Sequence, residues 1–453
     1  MSEAVPKIVV VGGGAGGLEL VTKLGKKLGK KKKAEVTLVS STHTHIWKPL
    51  LHEVAAGTLD SHEDEIEYLS QAMCSGFRFR LGRMEGLDRQ NKQITVAPTF
   101  NEDGVEIIPR RSFDYDYLII SVGSVSHDFG IKGVSDHCLF LDTTKQAEYF
   151  QNQLLESYLR AHTQGRPLDE GQLNIAIVGA GATGVELCAQ LYEVSHLLNA
   201  YGLDEVKPQD VKLTLIEAAD RILPGLPENI SAAAQEELND LGVEILAGER
   251  VIEVTETEIK TQSGRNIPAA IKVWAAGIKA PEFLKDIDGL ETNWMNQLVV
   301  KQTLQTTFDD DIYAIGDCCA CKWIGQDQNV PPRAQAAHQM ASLVYKSIVN
   351  RMKDKELPEY HYHDYGSLVS LGRYGTVGNL MGNLSKGSMK VEGLMARLMY
   401  LSLYKMHQVA LFGPFRVLML SHLIFFVEAY IQKLSYINNH CHSYKKGPFK
   451  GLF

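Results

Sequence analysis

The chain has 453 residues, 45% of them hydrophobic and 22% charged, the make-up of a globular protein with a real core. Its length suggests about three domains, and its net charge of −8 gives no reason to expect nucleic acid as a partner. No export signal precedes the strand expected at Lys7, so the seven cysteines are read as reduced thiols and the compartment as cytoplasmic.

The apolar run Lys7–Val11 predicts a strand and Gly16–Leu28 a helix, with a second strand over Glu35–Val39. Between strand and helix stands Gly12-Gly13-Gly14-Ala15-Gly16-Gly17, a G-x-G-x-x-G fingerprint. Lys26, Lys27 and Lys30 to Lys33 follow the helix as a solvated, dipole-favourable face, with contact to anionic lipid as the alternative. Tyr115–Val122 reads as another strand, turning at Gly123.

The pattern then repeats. Leu173–Val178 is a strand, Gly179-Ala180-Gly181-Ala182-Thr183-Gly184 a second fingerprint, Gly184–Leu198 a helix and Lys212–Ile216 a strand. In each unit the first glycine makes the tight turn, the second lets the backbone approach a pyrophosphate, and the third lets helix and sheet pack closely. Two fingerprints imply two dinucleotides, and the simplest chemistry for that pair is electron transfer between a nicotinamide and a flavin.

Later strands are expected at Lys272–Ala276 and Ile312–Ile315, then a loop from Trp323 to Pro332 and a helix from Arg333. Beyond about residue 365 the composition shifts to glycine and methionine. Leu394–Phe412 carries Met395, Met399, Leu403, Met406 and Ala410 on one helical face, with Arg397, Tyr404 and Gln408 on the other. Gly413-Pro414 breaks it, and Phe415–Leu434 is more apolar still. Its core, Val417–Ile431, is short for the roughly 20 residues of a membrane span and contains Glu428. An amphipathic helix lying on the bilayer surface fits better.

A carboxylate at the end of the second strand usually binds the adenosine ribose. Glu217 fills that place in the second unit and would repel a 2′-phosphate, so this site should prefer NADH to NADPH. In the first unit Ser40 stands there instead, a neutral and weaker partner. Ile312-Tyr313-Ala314-Ile315-Gly316-Asp317 resembles the segment of two-dinucleotide flavoproteins whose aspartate binds the ribityl chain of FAD. That resemblance makes the first domain resume late in the chain, with the NADH domain inserted.

Nearly the whole chain resembles the type II NADH dehydrogenases, the single-subunit, non-pumping NADH:quinone oxidoreductases of the proteobacterial branch. The segments that carry this are His45 to Val54, Gly179 to Glu186, Val273 to Ile278, Tyr313 to Cys318 and Pro331 to Gln339. Pro331 to Gln339 is similar to the family's A-Q-x-A-x-Q quinone motif. The resemblance implies an α/β fold of two Rossmann-like dinucleotide-binding domains plus a C-terminal membrane-anchoring region. FAD would be held by residues 1–125 and 285–345, NADH by 126–284, and the membrane would be met by 346–453. It also implies non-covalent FAD, NADH as substrate, membrane quinone as acceptor, a homodimer, and a peripheral place on the cytoplasmic face of a bacterial inner membrane. Glu186 matches a glutamate near the nicotinamide–flavin contact, while Gln335 and Gln339 match the place where flavin and quinone meet. The cofactor-binding set is then Gly12, Gly14, Gly17, Ser40, Lys48, Gly123, Gly179, Gly181, Gly184, Glu217, Gly277, Asp317 and Ala334. No metal is expected.

Three alternatives are set against this reading. Disulfide and sulfide:quinone chemistry both need cysteines beside the flavin. His43 to Gly57 has none, and Cys318, Cys319 and Cys321 are read as buried free thiols. A non-catalytic flavin/NAD sensor shares the fold, but the glutamine motif and the apolar tail favour an enzyme. His43, His45, His52 and His338 are read as structural hydrogen-bonding residues.

Overall fold

A computed structural model describes residues 5–371, 376–380 and 389–419. The chain begins with strand β1 (Lys7–Val11), helix α1 (Ala15–Leu24) and strand β2 (Glu35–Ser40). A short helix α2 (Leu51–Ala56), strand β3 (Arg78–Leu81) and strand β4 (Tyr117–Ile120) follow. The long helix α3 (Thr144–Thr163) starts at a capping box made by Thr143 and Gln146. The second unit is strand β5 (Asn174–Val178), helix α4 (Ala182–Leu197), and strands β6 (Lys212–Glu217), β7 (Glu244–Ala247) and β8 (Ile271–Trp274). Strand β9 (Ile312–Ala314), helix α5 (Ala334–Arg351), strands β10 (Gly366–Ser370), β11 (Thr376–Leu380) and β12 (Met389–Glu392), and helix α6 (Gly393–Phe412) complete it.

Two parallel sheets organise these elements. The first has the order β9-β4-β1-β2-β3, with Val10 beside both Ile119 and Leu38. The second has the order β7-β6-β5-β8, with Ile177 beside both Leu215 and Val273. The central strands read as unbroken apolar runs because both faces are covered: Ile8, Val10, Ile119, Ile120, Ala176 and Ile177 have no exposed surface. β9 lies some 190 residues after β4 and still pairs with it, Leu118 to Ile312, so the first sheet is completed only after the second has been built.

The strands fall where the sequence places them, with ends shifted by one or two residues. The first helix differs more. Its regular turns stop at Leu24, and Gly25–Gly29 widen into a π-turn in which the Lys30 N–H reaches the Gly25 carbonyl at 2.8 Å. Gly25 and Gly29 lie against the Ser75 and Gly76 backbone, where no side chain fits. Lys27 and Lys30 to Lys33 beyond it are exposed.

By contacts the chain divides into two compact units, residues 1–400 and 401–453. In the second, His407, Leu411 and Val417 are buried, whereas Met406, Val409, Phe415, Leu418 and Met419 are exposed. Gly413 takes φ 87° where the sequence places the break. Most of the Phe415–Leu434 segment lies outside the described residues.

Candidate active site

Each fingerprint forms a cradle at the carboxyl edge of its sheet. Gly12 turns at φ 99°, and a side chain there would strike the Ser121 carbonyl. One at Gly17 would strike the Gly12 carbonyl, so α1 rides directly on the turn. At Gly14, by contrast, no heavy atom lies within 4 Å of an added Cβ. The second unit repeats this. Gly179 turns at φ 102° against the Ala276 backbone, Gly184 packs on Gly179, and Gly181 faces open space. Gly14 and Gly181 are also the N-caps of α1 and α4, and no side chain caps either helix. Free N–H groups and the positive dipole end therefore point into the space a side chain would fill, which fits a dinucleotide pyrophosphate in both places.

The first cradle is framed by neighbouring strand ends. Because β1, β4 and β9 are parallel, Gly12, Gly123 and Asp317 emerge at one edge. Asp317 Oδ2 accepts the Ser124 hydroxyl at 2.8 Å, and its backbone carbonyl accepts Gln297 Nε2 at 2.8 Å. Lys48 donates to the Ser124 carbonyl at 2.9 Å and lies 3.5 Å from Asp142. Asp142 in turn accepts the Ser126 N–H at 2.9 Å. Asp317, Lys48 and Gly123, singled out separately in the sequence, thus meet around Ser124, which sequence reasoning missed. Asp142 was missed too.

At the ends of their second strands the two units part. Glu217 accepts the Ala180 N–H of the glycine loop at 2.8 Å and the Ala219 N–H at 2.9 Å, which fixes its carboxylate beside the cradle. Ser40 is buried, 3.4 Å from the Thr42 hydroxyl. Above it Tyr68 donates to the Gly13 carbonyl at 2.8 Å, and burial pushes its phenol up to about 12, so it stays a neutral donor. Tyr68 lies far from the fingerprint in sequence, and no motif announces it.

Glu186 stands two residues after Gly184 and is buried. Its Oε1 accepts the Ser370 N–H of β10 at 3.0 Å, and its Oε2 lies 3.6 Å from His52 Nδ1 on α2. Burial pushes its carboxyl up to about 8; Glu53 adds to the rise and the Ser370 N–H opposes it. Burial pushes His52 down to about 4, against a backbone hydrogen bond with Pro49. At neutral pH the pair is uncharged and can hold a proton between helices α4 and α2. Glu19, two residues after Gly17, has a matching partner: it touches His338 of α5, whose ring stacks on Trp47 at 5.6 Å. His52 and His338, read as structural from the sequence, each face a helix-start glutamate. The repeated Glu is visible in the sequence; its histidine comes from a distant segment and is not.

The glutamines of α5 both grip one extended segment. Gln335 accepts the Tyr365 N–H at 3.0 Å and donates to the Gly366 carbonyl at 2.9 Å. Gln339 accepts the His363 N–H at 3.0 Å and donates to the His363 carbonyl at 2.8 Å. Ala334 opens the helix, half-buried, after Arg333 as N-cap. Gly277 is an exposed turn residue at φ 67° whose carbonyl accepts the His127 N–H at 3.2 Å. Cys318, Cys319 and Cys321 are free and buried, and burial pushes the Cys318 and Cys321 thiols up to about 12.

The sequence profile of the pyridine nucleotide-disulphide oxidoreductases matches residues 6–341. The type II NADH:quinone oxidoreductase of Haemophilus influenzae is 44% identical over 423 residues, 90% of this chain and 95% of that one. The chain belongs to this family. A Staphylococcus aureus enzyme of the same name is 29% identical and covers 84% of the chain and 91% of its own length. Among solved structures, NDH2 of Plasmodium falciparum in complex with NADH superposes with a TM-score of 0.76 at 19% identity, covering 90% of this chain and 97% of that one. The sulfide:quinone oxidoreductase of Aquifex aeolicus gives 0.70 at 17% identity, with 90% and 92% covered, and shares the fold.

Proposed function

We propose that this chain is an FAD-dependent NADH:quinone oxidoreductase that works without pumping protons. The observation that carries the reading is the pair of open cradles, one framed by Asp317, Ser124 and Lys48 and the other by Glu217. FAD, when bound, supplies an acceptor for the hydride of NADH and a donor of two electrons to quinone. The chain's own residues bind, orient and manage protons. Gly12, Gly14 and Gly17 hold the FAD pyrophosphate, with Asp317 toward the ribityl chain and Ser40 at the ribose. Gly179, Gly181 and Gly184 hold NADH, Glu217 selects it over NADPH, and Gly277 lines its approach. Glu186 keeps a proton at Oε2 beside His52 at neutral pH. Ala334, Gln335 and Gln339 border the quinone.

Residues 1–125 and 285–345 form the FAD domain, 126–284 the NADH domain and 346–453 the membrane-associating region. A short antiparallel pair, Val125–Ser126 with Ile278–Lys279, supports the two inner boundaries, since the chain leaves and re-enters the first domain through it. The enzyme meets quinone at the cytoplasmic face of the membrane as a peripheral homodimer. Among the described residues no helix is long and apolar enough to cross a membrane. The exposed Met406, Val409, Phe415, Leu418 and Met419 support surface attachment.

Turnover with NADH and NADPH against ubiquinone and menaquinone analogues tests the activity, with sulfide as a control donor. Quinone reduction by NADH alone is expected; turnover with sulfide would move the chain to the sulfide:quinone alternative. Removing residues 394–453 should release the protein from membranes while leaving NADH oxidation by a soluble acceptor.

A further inference from the structure

One strand touches both halves of the proposed reaction. At its start, β10 and the residues before it are gripped by Gln335 and Gln339 of α5. At its end, the Ser370 N–H holds Glu186 of the NADH unit. The side chain at the centre of the first grip is Asp364, which is 13% exposed. Its carboxylate accepts from Arg333 at 3.0 and 3.2 Å, from Gln335 Nε2 at 3.3 Å and from the Gly366 N–H at 2.8 Å. Four hydrogen bonds from three donor groups fix it against α5 and against the first residue of β10 at once. From there the strand runs about 13 Å to Ser370 at the usual rise per residue. It is paired with β11 at every position from Gly366 to Ser370, so it moves as a unit.

Resting on the NADH:quinone reading, we propose that Asp364 is a positioning residue that sets the register of β10, so that the quinone-motif glutamines and Glu186 are placed by a single element. With Asp364 in place, Gln335 keeps one orientation and the Ser370 N–H stays on Glu186. Without it, Arg333 loses its partner, Gln335 turns, and the Ser370 N–H withdraws. The ionisable groups facing Glu186 from α2 are His52 and Glu53, while β10 contributes a backbone N–H and no ionisable side chain. The Ser370 N–H favours the ionised Glu186, so its withdrawal moves the titration of Glu186 to higher pH.

The test uses the flavin-loaded full chain carrying Asp364→Asn, alone and with Glu186→Gln. Flavin reduction by NADH is followed in stopped flow across the neutral-to-alkaline range, and KM for a soluble quinone is measured in the steady state. Asp364→Asn should raise the midpoint of the pH profile and raise the quinone KM roughly tenfold. Glu186→Gln should flatten the profile in both backgrounds, and Asp364→Glu should restore part of the quinone KM. An unshifted midpoint, or a shift that persists without Glu186, overturns the proposal. If Asp364→Asn does not retain flavin, Arg333→Gln is judged by the same two readouts. Wild-type protein that fails to reduce quinone with NADH instead overturns the functional reading beneath it.

Discussion

The two βαβ units are built on one plan and finished differently. Both turn at a left-handed glycine, leave the second glycine open, seat the helix on the third, and place a glutamate two residues on. In the first unit Glu19 touches His338, and the strand-end position is the neutral Ser40, with Tyr68 and Thr42 around it. In the second unit Glu186 keeps 3.6 Å from His52 and is pushed up to about 8, while the strand-end position is the charged Glu217. The shared parts are those that backbone geometry demands. The parts that differ set the charge beside each cradle and the surroundings of each glutamate.

Matched substitutions separate the units most sharply. Gly12→Val should yield protein without flavin, because a side chain there collides with the Ser121 carbonyl in a left-handed turn. Gly179→Val should keep its flavin and its reduction by dithionite yet slow reduction by NADH at least about a hundredfold. Flavin absorbance and stopped flow read both, and equal flavin loss in the two variants would break the assignment.

Stability against pH tests the proton held by Glu186. Its ordinary value is 4.5 and its folded value about 8, so the unfolded chain ionises first. The stabilisation is complete below the ordinary value and is lost as pH rises through the folded one. Glu186→Gln should remove that loss, gaining on the wild type by about 3 kcal/mol between pH ~5 and pH ~8 in chemical denaturation. His52 works in the other direction: its folded value, about 4, lies below the ordinary 6.5, so stability falls as pH drops through that interval.

The strand-end contrast predicts smaller effects. Glu217→Gln should raise the NADH KM by roughly tenfold and narrow the preference over NADPH. Ser40→Asp should tighten FAD a few-fold by calorimetry; no change would mean that Tyr68 and Thr42 already complete that site. The smallest effect is expected from replacing Cys318, Cys319 and Cys321 by alanine. Their buried, high-pKa thiols should leave turnover within about twofold and resist alkylation in the folded protein.

The sequence by itself determined the repeated units, their glycine turns and the carboxylate of Glu217 at the end of the second unit's second strand. These rest on local rules: apolar runs make buried parallel strands, and positive φ and close approach demand glycine at fixed spacing. Even Gly413 marks a break that the backbone makes. The tertiary structure decided the partners. Ser124 with Asp317, Tyr68 with Gly13, His52 beside Glu186 and Asp364 with Arg333 join segments separated by 31 to 193 residues. Spacing does not constrain such pairs. The return of β9 to β4 brings Asp317 to Ser124, the packing of α2 near α4 brings His52 to Glu186, and β10 lies between α5 and α4, so side chains meet that no local pattern relates.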